Sequence, residues 1–226
     1  MAGKAKALCM FTTASTKVRA DFGHNRVLQG LAILYGVIWL ATAIAPNNRF
    51  DWFLENILVF AFFGLLALTY RVFPLSDLSY TLIAVFLGLH AVGAHYTYSE
   101  SPMGLWVKEA LVLERNHYDR VVHFLFGLLF SYPLREVALR GARVSRGWSY
   151  VLGFALVLAC SNIYEALEWA AAETIEPETA LAFLGTQGDI FDAQKDSALA
   201  ATGAMLGLFI IAMLSKVCAG SRSARD

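Results

Sequence analysis

The fold class predicted for this 226-residue chain is all-α: a polytopic membrane bundle of six transmembrane helices with both termini cytoplasmic. Composition is the first observation behind it: 58% of the residues are hydrophobic and 16% charged, against roughly 45–50% and about 25% in ordinary soluble domains. Length is the second, because a helix rising about 1.5 Å per residue needs about 20 apolar residues to cross a hydrocarbon layer about 30 Å thick, and six stretches qualify. The third is the uneven division of Lys and Arg between alternate connections.

The elements follow in order. Residues 1–26 form a polar, basic cytoplasmic tail without a short apolar region ending in a cleavage site, so no removable signal is expected and the first span serves as an uncleaved insertion signal. The transmembrane domain covers residues 27–217, and 218–226 form a short C-terminal cytoplasmic tail. Its spans run from Val27 to Ala45, Phe53 to Tyr70, Leu78 to His95, Val121 to Leu139, Trp148 to Ala170 and Ala193 to Val217. These runs are too long for buried strands and lack a period of two.

Two connections are long, about 23–25 residues each. In the one before Asp119, the stretch Leu105 to Leu113 is too short to span and reads as a surface helix beside Trp106. In the one after Ala170, Pro177 starts a short helix that ends near Gly185. Gly185-Thr186-Gln187-Gly188-Asp189 then reads either as a polar turn or as a loop that closes over a ligand. In the last span, Gly203 and Gly207 form a small-xxx-small stripe suited to close packing within the chain, with a homo-oligomer seam as the alternative.

Topology follows from the charges. One side carries thirteen bases (Lys4, Lys6, Lys17, Arg19, Arg26, Arg71, Arg135, Arg140, Arg143, Arg146, Lys216, Arg222 and Arg225) and four acids (Asp21, Asp77, Glu136 and Asp226). The other carries five bases and fourteen acids. The positive side is cytoplasmic. The formal net charge is zero, which points to no nucleic-acid partner.

Ionisable side chains are costly in a membrane, so their placement is the functional signal. Nearly all gather at the outward ends of four spans. The third ends with His90 and His95, followed by Tyr96 and Tyr98; the fourth opens with Asp119, Arg120 and His123. The fifth ends with Tyr164, Glu165 and Glu168, and the sixth is entered through Asp189, Asp192, Lys195 and Asp196. Asp119 with His123, Glu165 with Glu168 and Asp192 with Asp196 are spaced to share a helix face.

Asp119, His123, Glu165, Glu168, Asp192 and Asp196 are therefore the candidate metal ligands. Oxygen donors suit Mg, Ca or Mn, and the imidazole adds Zn or Fe. The bland alternative is interfacial polar residues in which Arg120 and Lys195 pair with nearby acids. Ser131 and Ser161 lack a nucleophile-elbow context, Cys160 reads as a small apolar residue, and the glycine loop lacks the Walker Gly-Lys-Ser/Thr ending. The three cysteines, Cys9, Cys160 and Cys218, form no disulfide framework.

The runs HAVGAHYTYSESP from His90 and NHYDRVVHFLFGLLFSYPLRE from Asn116, with EALEWAAAE and GTQGDIFDAQKD later, resemble the YjdF family of bacterial inner-membrane proteins. That resemblance implies a six-span plasma-membrane protein of uncharacterised biochemistry. It draws attention to His90, His95, Tyr96, Tyr98, Asp119, Arg120, His123, Glu168, Gln187, Asp189, Asp192 and Asp196. A fainter similarity to VanZ-like membrane proteins rests on Asp119 to His123, Glu168, and Asp192 to Gly203; no antibiotic-resistance role is carried over from it.

The leading expectation is an outward-facing acidic and imidazole pocket that binds a cation or a polar lipid headgroup; the residues joining the metal candidates in it are His90, His95, Tyr96, Tyr98, Arg120, Gln187 and Asp189. Membrane lipids and a small polar or lipid-linked ligand are the partners it implies. One alternative is a metal-dependent hydrolase or transferase acting on a lipid-linked substrate, with His123 or Glu168 moving a proton. Another is a proton- or ion-coupled transporter, and a third a lipid-binding scaffold without turnover.

Overall fold

The computed structural model describes residues 21–223. Lys4, Lys6, Lys17, Arg19, Arg225 and Asp226, used above to orient the tails, and Cys9 lie outside the described residues. After a short 3-10 turn at Phe22–His24, the helices are α1 (Arg26–Ala43), α2 (Arg49–Thr69), α3 (Asp77–His95), α4 (Pro102–Ala110), α5 (Tyr118–Arg140), α6 (Arg146–Ala172), α7 (Pro177–Phe183) and α8 (Asp192–Ser223). No strand occurs among the described residues. All but α4 and α7 are long and apolar enough to cross a membrane. The chain is an all-helical, multi-pass membrane protein.

Polar residues set the helix starts. The side chains of Asn25, Asn48, Ser76 and Ser145 each accept a hydrogen bond from a backbone N–H in the first turn of the helix that follows, satisfying donors that have no intrahelical partner. Pro102 opens α4 at a position where its missing N–H costs nothing. The short helix expected over Leu105 to Leu113 is α4, begun three residues earlier at Pro102, and the one expected from Pro177 is α7, ending at Phe183. The spans begin one to four residues earlier than hydropathy suggests because these caps and the polar residues of the first turn precede the apolar run.

Contacts between helix ends divide the bundle into two faces. At the terminal face, Asn25 reaches Asp77 at 3.4 Å, and Glu136 accepts from the Ser76 N–H and from the Ser76 and Ser79 hydroxyls while pairing with Arg140. At the loop face, the Asn47 N–H donates to the His95 carbonyl at 2.9 Å. α5 is the most buried span and packs against α3, α6 and α8.

The approach of α5 to α8 is close because both are small where they cross. A Cβ at Gly203 would collide with the Phe124 carbonyl, one at Gly207 with Ser131, and one at Gly127 with the Ala200 carbonyl. The glycine stripe thus faces α5 within the chain, and the homo-oligomer seam considered for it is occupied. This crossing fixes the first turns of α5 and α8 beside each other.

Candidate functional site

α5 places Asp119 and His123 one turn apart on a face that meets Glu165 from α6 and Asp196 from α8. His123 Nε2 lies 3.5 Å from Asp119 Oδ1 and 3.4 Å from Glu165 Oε1. One donor atom each from Asp119, His123 and Asp196 falls within 4.8 Å of the others. Asp196 is 2% exposed and its Oδ1 has no hydrogen-bond partner; Glu165 Oε1 is buried without one as well. A carboxylate oxygen taken out of water in this way calls for a proton, a water or a cation.

Asp192 has a different environment. Arg115 holds it with both terminal nitrogens, Nη1 to Oδ1 at 2.6 Å and Nη2 to Oδ2 at 3.2 Å, and Arg120 Nη2 adds a bond to Oδ1 at 3.0 Å. Such a two-pronged contact matches the fork of a guanidinium to a carboxylate. Asp189 takes Arg120 Nη2 and Lys195 Nζ, each at 2.5 Å. Lys195 first, with the Phe191 N–H and Arg120, holds the Asp189 carboxyl well below the usual carboxylate range.

The expected Asp192–Asp196 pairing is thus corrected. Four residues apart at the start of α8, they serve different neighbours: Asp192 meets the arginines and Asp196 meets His123. The pairing of Arg120 and Lys195 with nearby acids is likewise what the bundle contains.

The remaining candidates separate by helix. His90 is 5% exposed with both ring nitrogens engaged, Nδ1 with the Tyr98 hydroxyl at 2.6 Å and Nε2 with the Glu55 carbonyl at 3.2 Å. His95 does not join it: its Nδ1 meets the Thr42 carbonyl at 2.8 Å, tying α3 to α1, and Tyr96 packs edge-on against its ring. Gln187 spends its amide on Asn116 at 2.9 Å in both directions. Glu168, half-buried near the loop-face end of α6, stands outside the three-residue group of Asp119, His123 and Asp196.

Sequence reasoning passed over Arg115, Asn116, Glu55 and Tyr164 as site residues. The Tyr164 hydroxyl donates to Glu55 Oε2 at 2.7 Å, joining α6 to α2 beside His123. Arg115 left one usable signal: it is one of only five bases on a side with fourteen acids, so a buried acidic partner was to be expected. Glu55 left another as an acid inside a predicted span.

Six spans long and apolar enough to cross a membrane, with polar and charged groups gathered toward their ends, define a multi-pass helical membrane protein. The family model described as "Predicted membrane protein (DUF2238)" matches residues 27–216, and the chain belongs to that family. It is 38% identical over 188 residues to the inner membrane protein YjdF of Escherichia coli strain K12, covering 82% of this chain and 89% of that protein. No solved structure matches the chain.

Proposed function

We propose that Asp119, His123 and Asp196, with Glu165 beside them, bind a divalent cation at the outer face of a bacterial plasma membrane and present it to a polar lipid headgroup. The observation that carries this reading is the buried, unpartnered Asp196 Oδ1 facing an imidazole and a second carboxylate. At metal–ligand distances of about 2.0–2.1 Å, neighbouring tetrahedral ligands stand about 3.4 Å apart. The 3.5 Å between His123 Nε2 and Asp119 Oδ1 fits that edge, and the Asp196 oxygen lies within 4.8 Å of both. Three protein ligands leave a coordination position for water or a phosphate oxygen.

Orientation belongs to the same reading. The loop face carries five bases and fourteen acids, which sets it outside and both termini in the cytoplasm. The Escherichia coli relative is named an inner membrane protein, in keeping with this location. Transport has less support: α5 has no Asp, Glu, His, Lys or Arg between His123 and Arg135, about 18 Å of helix at 1.5 Å per residue.

The test is calorimetric titration of metal-stripped, detergent-purified protein with Mn2+, Zn2+, Mg2+ and Ca2+. Saturable binding is expected for at least one ion, weakened by about tenfold or more in Asp196→Asn and His123→Gln and unaltered in Lys108→Gln. Wild-type protein that shows no saturable binding and no thermal stabilisation by any of the four overturns the proposal.

A further inference from the structure

An apolar cavity of about 350 Å3 continues from the cluster into the bundle between α2, α3, α5 and α6. Asp119, His123 and Tyr164 form its polar end, and Phe126, Phe130 and Leu134 of α5 form its floor. Asp119 to Leu134 is about 22 Å along the helix at 1.5 Å per residue, longer than the ~15 Å half of a 30 Å hydrocarbon layer. Along α5 the lining is polar at Asp119 and His123 and apolar from Phe126 to Leu134.

The rim shows from where an occupant comes. Leu65 on α2 is 55% exposed and Cys160 on α6 is exposed, so the sides of the cavity open outward between two membrane-spanning helices. Nearer the loop face, the Tyr164–Glu55 hydrogen bond joins the same two helices. The cavity is therefore bridged toward water and open toward the bilayer. Phenyl and leucyl walls gain nothing from water, whereas an alkyl chain restores the contacts that a void forfeits.

We infer that this cavity is a slot for one acyl chain of a membrane phospholipid, entered sideways between α2 and α6, with the headgroup phosphate delivered to the Asp119–His123–Asp196 cluster. The headgroup half of the inference rests on the cation reading above; the chain half stands on the cavity. Both ends of an amphiphile are matched in order: alkyl chain against Phe126 and Phe130, phosphate at the depth where α5 becomes polar.

The experiment uses full-length protein in vesicles of phosphatidylethanolamine and phosphatidylglycerol, doped with a phosphatidylglycerol that carries a diazirine within one acyl chain. After irradiation, adducts are mapped by mass spectrometry. Adducts are expected on the floor residues Phe126 or Phe130 and on the bundle's outer surface at Phe209, which is 61% exposed. Filling the slot from α6 with Ser161→Trp, or from its exposed rim with Cys160→Trp, removes the floor adducts and leaves those at Phe209. Wild-type vesicles without floor adducts, or floor adducts retained in Cys160→Trp, overturn the slot. Floor adducts that survive metal stripping at full yield overturn the delivery of the headgroup to a cation while the slot stands. Floor adducts in a protein that binds no cation by calorimetry overturn the cation reading alone.

Discussion

Gln187 pairs with the Asn116 peptide from both sides, its Oε1 accepting the Asn116 N–H and its Nε2 donating to the Asn116 carbonyl, each at 2.9 Å. Gln187 has φ +47 and is flanked in the turn by Gly185 at φ +60 and Gly188 at φ +85, a left-handed backbone that glycine adopts freely. The side chain joins the segment leading into α5 to the segment leading into α8. Those are the helices that carry Asp119, His123 and Asp196, so this contact helps set the spacing of the cluster.

Replacing Gln187 with Ala leaves the peptide groups of Asn116, a residue 1% exposed, without partners. A cost of about 1–3 kcal/mol is expected for orphaned buried polar groups. Thermal unfolding in detergent, with amide exchange at Asn116 as a local reporter, measures it. Gln187→Glu sets a carboxylate oxygen against the Asn116 carbonyl and is expected to be at least as destabilising. Equal melting curves for wild type and both variants would contradict the role assigned to this contact.

Arg115 and Asp192 are both buried, with side chains 9% and 6% exposed. Breaking such a pair from one side is worth about 3–5 kcal/mol, because it strands a charge. Arg115→Ala is expected near the lower end, since Arg120 remains bonded to Asp192. Removing both charges with Arg115→Met and Asp192→Leu should recover most of the loss. Unfolding curves of the single and double variants decide the point, and a double variant less stable than Arg115→Ala contradicts it.

His117 and Asp189 respond to pH in different windows. Burial first, then Arg120 and Arg115, push the His117 imidazole below its ordinary 6.5. As pH falls through 6.5 the unfolded chain takes up a proton that the folded one refuses, so this group withdraws stability below 6.5 and is neutral in effect above it. Asp189 is depressed from 3.8; its contribution is complete above 3.8 and is lost only as pH falls through the lower folded value. An imidazole NMR titration should give His117 a midpoint below 6.5 that rises in Arg120→Gln. A wild-type midpoint at or above 6.5 would refute this.

The sequence by itself determined the spans, their number and their approximate ends, because lipid as solvent forces every backbone group into a helix and makes apolar length a direct reading of structure. It also marked Gly203 and Gly207 as a face of α8 for close packing, whereas only the structure shows that α5 occupies that face. The layer in which Asp119, His123, Glu165 and Asp196 lie follows from alternating span direction. What only the tertiary structure decided is which of them meet. Helical spacing places Asp192 and Asp196 on one face, yet Arg115, in the segment before α5, and Arg120 on α5 meet the first while His123 meets the second. The rotation of each helix about its axis, set by packing between helices far apart in the chain, separates a salt-bridge clamp from an acid–imidazole cluster, and no local pattern encodes it.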